Sequence, residues 1–506
     1  MTQTLTPTPE QEAFCQALWA GKPCFLSARA GTGKTSTIKL ALELAPKPLD
    51  CTVIAFNKQN QEDLQKALGG RIRVATLHSL GFSALRQFMP GLELNTSKLF
   101  ELTKQHRLKG RNPRQRFSDT MRLVSCAKNW GLVPSRPQGK KPSFKPGLVP
   151  DTPESWLALV DHFELWEADL EAAREILQES NELFWTQHQI DFDDMVYLPV
   201  ALGLQVFSSS LMLVDEAQDL SPLNLRMLQK TPAKIWYVGD PFQCIYTWRG
   251  SDEDVLTSLN LPELPLTTCW RCDQAIIRQA QRYVPDIKAR PEAEPGQVQL
   301  YSEMPDWKAE PPAVVLGRTN AALIKLALEM RASQKQVCIL GRDLAKTLAG
   351  ILEEFKGNTR ARLLEETQTW FNKMSDRYPH KQLEFRDLAR CLQAFIQEYH
   401  GVPAILRELG RLFSDDPLPG AWILSTIHKA KGREWPRVWL LNWSGSGLSQ
   451  PWQVKEDRNL RYVATTRAKH FLGIIDETAW NPEAKQGART QAGASSSPIS
   501  TTSLSL

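Results

Sequence analysis

The sequence predicts an α/β fold built on parallel sheets, and three observations carry that prediction. Short apolar runs such as Leu211–Val214 and Ile235–Val238 have the length and unbroken hydrophobicity of strands buried on both faces. Helical stretches separate them, and strands that alternate with helices make a parallel sheet. The runs end in glycine-rich, acidic or aromatic loops, and ligands of such sheets bind beyond the carboxyl ends of the strands.

At 506 residues, with 42% hydrophobic and 23% charged residues, the chain has room for several ordinary soluble domains. A net charge of +5 is too small to announce a polyanion partner by itself. The distribution says more: Lys104, Arg107, Lys109, Arg111, Arg114 and Arg116 occur with no acidic residue among them, and Arg136 to Lys145 repeats the bias with Lys140 and Lys141. Such runs are either solvated faces or nucleic-acid contacts. The nine cysteines are scattered and odd in number, which predicts a reducing compartment. Cys269 and Cys272 form a C-x-x-C without a second ligand pair, so zinc is not expected. No apolar run approaches the roughly eighteen residues of a membrane span, and no export signal stands at the start. The expectation is a cytoplasmic protein, nucleoid-associated if the host is prokaryotic, with no membrane partner.

Taken in order, Thr6 to Pro9 ahead of Glu10 and Gln11 marks a capped helix start. Gln11 is either solvent-exposed or, because an amide both donates and accepts, a reader of the adenine edge. Cys24–Ser27 reads as a buried strand and Lys34–Leu44 as a helix, with a glycine turn between them. That is the context of a phosphate-binding loop. Ala30, Gly31, Thr32, Gly33 and Ser36 line the turn that faces the phosphates of a nucleotide, Lys34 adds charge at the β/γ-phosphates, and Thr35 holds Mg²⁺ through its hydroxyl. The strict pattern has glycine where Ala28 stands.

Thr52–Phe56 and Arg71–Thr76 are the next strands, and Phe56, Asn57, Thr76 and His78 fall on the working edge. A lone histidine there is more often a satisfied structural residue than a ligand-binding one until a partner is named. From Pro90 to Gln189 the pattern becomes helical, an inserted subdomain carrying both basic patches, until Ile190–Tyr197 returns the chain to the sheet. Leu211–Val214 runs into Asp215-Glu216-Ala217-Gln218-Asp219, where Asp215 completes a Mg²⁺ shell and Glu216 orients and deprotonates water. Ile235–Val238 leads to Gly239–Gly250. Gln243 there senses a γ-phosphate, and Tyr246, Trp248 and Arg249 offer the aromatic and cationic groups on which unpaired bases stack.

This ordered set resembles the superfamily 1 DNA helicases of the UvrD/Rep/PcrA type, and the later chain agrees. Leu266–Cys272 is similar to the family's motif IV, with Trp270 in place of the usual tyrosine and Arg271 retained. Val315–Asn320, Ser425–Trp435 and Glu456–Lys469 resemble motifs IVa, V and VI, and the family commonly has alanine at the place of Ala28. Residues 55–58 and 76–80 are also similar to the F-box DNA helicase branch. The resemblance implies two RecA-like parallel-sheet motor domains, each with a helical insertion. The first covers 1–88 and 190–260 with its insertion at 89–189; the second covers 261–341 and 420–478 with a short insertion at 342–419; a disordered tail at 479–506 follows. Strands at Ala313–Leu316, Val337–Leu340, Ile423–Thr426, Val438–Asn442 and Phe471–Ile475 fit the second domain, and Leu344, Leu348, Ile351, Leu352 and Phe355, like Phe385, Leu388, Leu392 and Phe395, keep helical spacing in its insertion.

By resemblance, Gln11 reads adenine, Arg271 and Arg467 are the cationic fingers, Trp270 stacks on the base, and Glu434 contacts the ribose or the γ-phosphate neighbourhood. The nucleic-acid contacts implied are Phe56, Asn57, Thr76, His78, Phe192, Tyr246, Trp248, Arg249 and His428. The implied activity is an ATP- and Mg²⁺-dependent translocase on single-stranded DNA that unwinds 3′-tailed duplex 3′ to 5′ as a monomer, in DNA repair, recombination or replication. The second insertion is short beside that of the best-known members, which leaves open a translocase that strips proteins with little unwinding. A non-catalytic clamp would predict loss of Lys34, Glu216 or Arg467, and none is lost. RNA stays open as a substrate, since stacking does not read the 2′-OH.

Overall fold

The computed structural model describes residues 7–70, 72–106, 108, 113–134, 148–163, 165, 167–206, 209–245, 256–307, 313–377, 382–444 and 451–481. The chain divides into two compact units, Met1–Trp270 with Lys373–Gln382, and Arg271–Asn372 with Leu383–Leu506.

The first unit is organised by a six-stranded sheet in the order Arg73–Thr76, Cys51–Ala55, Leu211–Val214, Lys234–Gly239, Phe25–Ala28, Glu263–Leu266. Every pairing in it is parallel. Alternate residues of a strand feed opposite faces. Thus Val53 and Leu213 join Phe14, Leu18, Ile38 and Trp236 in one core, while Ile54 and Met212 join Leu80, Leu85, Val124, Ile176 and Phe184 in the other. Helices cover both faces, which is why the inner strands are continuous apolar runs. The second core continues into the insertion helices Lys98–Gln105, Pro113–Asn129, Pro153–Phe163 and Leu170–Gln187, so sheet and insertion share one apolar interior.

The second unit repeats the plan. Its parallel sheet runs Gln297–Tyr301, Ala468–Ile475, Trp435–Leu441, Ala313–Gly317, Trp422–Thr426, Val337–Ile339. Between strands Val337–Ile339 and Trp422–Thr426 the chain forms helices Arg342–Glu353, Arg360–Arg377, Gln382–Glu398 and Val402–Leu412, of which only residues 373–377 and 382 group with the first unit, and Leu348, Leu352, Phe385, Leu388, Leu392 and Phe395 are buried.

Two boundaries differ from the sequence expectation. The second domain was expected to open at residue 261, but Glu263–Leu266 pairs in register with Phe25–Ala28 and closes the edge of the first sheet, so the boundary falls between Trp270 and Arg271. The tail was expected to be disordered from 479. Helix Glu477–Trp480 is instead capped by Asp476, and the Trp480 indole donates to the Asn442 carbonyl at 3.0 Å. Residues 482–506, the basic patch at 136–145, and Arg107, Lys109 and Arg111 of the other patch lie outside the described residues. Among the described residues no helix is long and apolar enough to cross a membrane, and no cluster with metal-ligand spacing is present. Cys269 and Cys272 are buried and form no disulfide.

Candidate nucleotide and nucleic-acid site

The sheet register assembles the site. Ser27 pairs with Gly239 and Ile54 with Val214, so the phosphate loop after Ala28, the acidic pair after Val214 and the segment after Gly239 leave the sheet at the same end. Gly31 and Gly33 have φ of 68° and 87°, the left-handed region where a side chain is strained. The turn is pinned from several sides. Thr32 Oγ1 donates to the Arg29 carbonyl at 2.7 Å, Thr37 Oγ1 to the Gly33 carbonyl at 2.9 Å, and the Trp270 N–H to the Gly31 carbonyl at 2.9 Å. Ala30 is buried, while Thr35 and Ser36 are exposed at the N-terminus of helix Lys34–Glu43, where N–H groups without intrahelical partners attract anions.

Lys34 Nζ lies 2.6 Å from Glu216 Oε2. Burial alone would push the Lys34 pKa down, but Glu216 and Asp215 outweigh it and hold the ammonium charged. Glu216 sits at φ 51°, a left-handed conformation that costs a non-glycine residue about 1–3 kcal/mol and collects at functional sites. Asp215 is pushed up to about 7 by burial and by Glu216, against the pull of Lys34. Its Oδ1 is buried without a hydrogen-bond partner. An orphaned carboxylate oxygen is what a hard cation satisfies, so the donor set of Asp215 with the Thr35 hydroxyl fits Mg²⁺.

Gln218 and Asp240 extend this centre and were not singled out from the sequence. Gln218 Nε2 donates to Glu216 Oε2 at 2.5 Å, and its Oε1 accepts the Asp240 N–H at 3.0 Å. Asp240 is fully buried and takes Gln243 Nε2 at 2.6 Å. Burial raises the Asp240 pKa, opposed by Gln243 and Lys34. Gln243 is therefore tied to Glu216 through two intermediaries. The signal was present, an amide inside the acidic motif and an acid after Gly239, but it becomes legible only when the two loops are adjacent.

Gln11 is buried rather than solvent-exposed. Its Oε1 accepts the Thr8 N–H at 3.0 Å and its Nε2 donates to Thr37 Oγ1 at 3.2 Å, which fixes the amide's orientation beside the loop helix and leaves one lone pair and one N–H for a base. Trp270 is 47% exposed, a large aromatic surface one hydrogen bond from Gly31.

In the second unit, Arg271 and Arg467 converge on Thr466. Arg271 Nη1 donates to the Thr466 carbonyl at 3.2 Å and Arg467 Nη2 to its hydroxyl at 3.3 Å. Arg467 is 1% exposed, and it also donates to the carbonyls of Val463 at 3.0 Å and Arg433 at 3.1 Å. Glu434 pairs with Arg271 Nε and, at 2.6 Å, with Lys469 Nζ. Burial would raise the Glu434 pKa, but these cations hold it below the usual carboxylate range.

The nucleic-acid candidates are placed as follows. Phe56 is half-buried, and Asn57 and Thr76 cap helices Lys58–Ala67 and Leu77–Phe88, accepting N–H groups at 2.8 Å and 3.1 Å. His78 is exposed, and Phe192 is 55% exposed. Burial, with Arg318 and Lys431, pushes His428 down to about 4, so its ring is neutral at physiological pH. Tyr246, Trp248 and Arg249 lie outside the described residues. Sequence reasoning also missed Lys98 and Lys128, which pair with Asp194 and Asp191 in the interior of the first unit.

Two parallel sheets, one with the glycine turn, Lys34, Asp215 and Glu216 at its carboxyl end and the other with Arg271 and Arg467 meeting at Thr466 just before strand Ala468–Ile475, define a phosphate-loop protein with two RecA-like domains. The sequence model of the UvrD/REP helicase N-terminal domain matches residues 8–261, and that of the UvrD-like helicase C-terminal domain matches residues 362–478. The chain belongs to the UvrD/REP helicase family. It is 25% identical over 545 residues to F-box DNA helicase protein 1 of Schizosaccharomyces pombe, covering 94% of this chain and 58% of that one. It is also 25% identical over 284 residues to ATP-dependent DNA helicase Rep of Escherichia coli, covering 48% and 37%, and 24% identical over 344 residues to UvrD2 of Mycobacterium tuberculosis, covering 54% and 48%. The chain thus spans little more than half the length of these relatives at most.

Proposed function

We propose that the protein is an ATP-dependent translocase on single-stranded DNA that unwinds 3′-tailed duplex in the 3′ to 5′ direction, in the service of DNA repair, recombination or replication. The observation that carries this reading is the Lys34–Glu216 contact at 2.6 Å beside the partnerless Asp215 Oδ1. It joins a phosphate-binding cation, a candidate base and a candidate metal ligand at the end of one sheet.

The loop residues Ala30 to Ser36 cradle the triphosphate, Gln11 and Trp270 hold the adenine, and Thr35 with Asp215 would hold Mg²⁺. That ion, when bound, supplies charge neutralisation between the β- and γ-phosphates. Binding of the γ-phosphate draws Lys34 away from Glu216 and frees its carboxylate to orient and deprotonate water, with Gln218 holding the second contact. Gln243 senses the γ-phosphate. Arg271 and Arg467 stabilise charge on the transferring group, a role worth about 10³ to 10⁵ in rate for cationic fingers elsewhere; Arg467 must exchange its carbonyl partners to do so. Phe56, Asn57, Thr76, His78, Phe192 and His428, with Tyr246, Trp248 and Arg249, contact the strand. The names of the relatives, DNA helicases in each case, support DNA over RNA.

Strand displacement decides the mode. Duplexes with a 3′ or a 5′ single-stranded tail are incubated with ATP and Mg²⁺, and only the 3′-tailed one is expected to separate. Translocation without separation of either would favour the protein-stripping reading.

A further inference from the structure

Asp191 to Asp194 carry the chain from the helical insertion back to the first sheet, and three of these four side chains turn inward. Asp194 is fully buried, with Oδ2 2.7 Å from Lys98 Nζ and Oδ1 2.7 Å from Lys128 Nζ. Asp191 Oδ2 takes Lys128 Nζ at 2.7 Å. Both lysine side chains are 0% exposed. The two aspartates also bind each other's backbone: the Asp191 N–H donates to Asp194 Oδ2 at 3.0 Å, and the Asp194 N–H to Asp191 Oδ1 at 2.8 Å. Asp193 accepts from Ser125 Oγ at 2.5 Å and Asn129 Nδ2 at 3.3 Å. The fourth residue, Phe192, is 55% exposed.

Two ammonium and two carboxylate groups cancel, and a buried charge is tolerated only when it is paired. The lysines come from insertion helices Lys98–Gln105 and Pro113–Asn129, so the quartet makes those helices and the returning segment one piece. Burial lowers the Lys98 pKa, while the neighbouring aspartates raise that of Lys128, as expected of a site where one cation is more fully compensated than the other. An apolar contact would hold the segment loosely; bonds from three acids within four residues, two of them reaching backbone N–H groups, allow one backbone path. That path leaves a large aromatic ring facing water.

We propose that the quartet Lys98, Lys128, Asp191 and Asp194 is a positioning device of the insertion, which holds Phe192 as a rigid platform for stacking one base of single-stranded nucleic acid. This rests on the reading that the chain binds single strands. The side chains of the quartet touch no nucleic acid themselves; they fix the ring that does.

The test uses the full chain and a single-stranded oligodeoxynucleotide carrying 2-aminopurine, whose fluorescence is quenched by stacking. Phe192→Ala is expected to relieve quenching and to raise the half-saturating DNA concentration about tenfold or more, as loss of a base–aromatic stack does elsewhere. The paired variant Lys128→Met with Asp191→Leu removes an ion pair without stranding a charge, and is expected to unfold cooperatively yet show the Phe192→Ala defect. If Phe192→Ala is defective and the paired variant is not, the inference fails and the proposed function stands. If the intact chain quenches but Phe192→Ala quenches equally, the platform is wrong. Absence of quenching in the intact chain would sink the proposed function itself. Should the paired variant not fold, hydrogen exchange in the intact chain decides: the segment 189–197 is expected to exchange slowly without DNA, and exchange at the rate of an exposed loop overturns the inference.

Discussion

Gly239→Ala separates a positioned catalytic base from a merely adjacent acid. A Cβ at position 239 would lie 2.5 Å from Gln218 Oε1, 3.1 Å from the Ala217 nitrogen and 3.2 Å from the Gln218 nitrogen. The two nitrogens are backbone and sit at distances that a small shift relieves, so the strain falls on the Gln218 amide. That amide accepts from Asp240 N–H and donates to Glu216, and moving it breaks one bond or both. Overpacking of this kind costs about 1–3 kcal/mol, and each lost hydrogen bond about 1 kcal/mol more. General-base catalysis supplies about 10²- to 10⁴-fold, and because Gln218 is the contact that holds Glu216 once the γ-phosphate has drawn Lys34 away, displacing its amide should remove about ten- to hundredfold of that from kcat. The KM for ATP should move less than threefold, by our estimate, since the phosphate loop is untouched. The assay is steady-state ATP turnover with saturating single-stranded DNA, run beside Gln218→Ala and the double variant. The double variant should be no worse than Gln218→Ala, because the oxygen that clashes is gone. Wild-type kcat in Gly239→Ala, or strictly additive losses in the double variant, would refute the argument.

Trp270→Ala should raise the KM for ATP about tenfold with kcat nearly unchanged, the equivalent of one aromatic stacking contact of about 1.4 kcal/mol, and Trp270→Tyr should restore it; an unchanged KM would remove the indole from the site. For His428, the native pKa of about 4 lies below the ordinary 6.5. Protons therefore bind the unfolded chain first as pH falls, and the stability this group contributes is complete above pH 6.5 and lost on descending toward 4. At pH 5.5 the loss relative to pH 7.5 is at most about 1 kcal/mol, partial exposure reducing it. Urea unfolding at the two pH values should show a smaller difference in His428→Gln than in the intact chain; equal differences would mean that the imidazole titrates freely.

The inner strands were legible because both of their faces are covered, which leaves continuous apolar runs at Leu211–Val214 and Ala313–Gly317. Two of the four edge strands were not. Glu263–Leu266 carries Pro265 and has one buried residue, and Gln297–Tyr301 has none, so neither shows the apolar run by which a buried strand is recognised. That omission is what misplaced the domain boundary. The phosphate loop, the acidic pair and Gln243 were readable because their residue types cluster in the chain. Asn57 and Thr76 were read as ligand contacts, and the structure adds that both are helix caps. The quartet around Asp194 was hidden because nothing beside Lys98 or Lys128 in the chain sets either apart from the other cations of its helix, and only partners 96 and 63 residues away explain how they are buried.

Everything proposed here requires that nucleotide turnover answer to a single strand through Lys34 and Glu216. ATP hydrolysis should be slow without polymer, rise at least tenfold with single-stranded DNA by our estimate, rise less with single-stranded RNA, and disappear in Lys34→Ala and Glu216→Gln at every DNA concentration. Turnover equal with and without polymer, or surviving either substitution, would contradict the account.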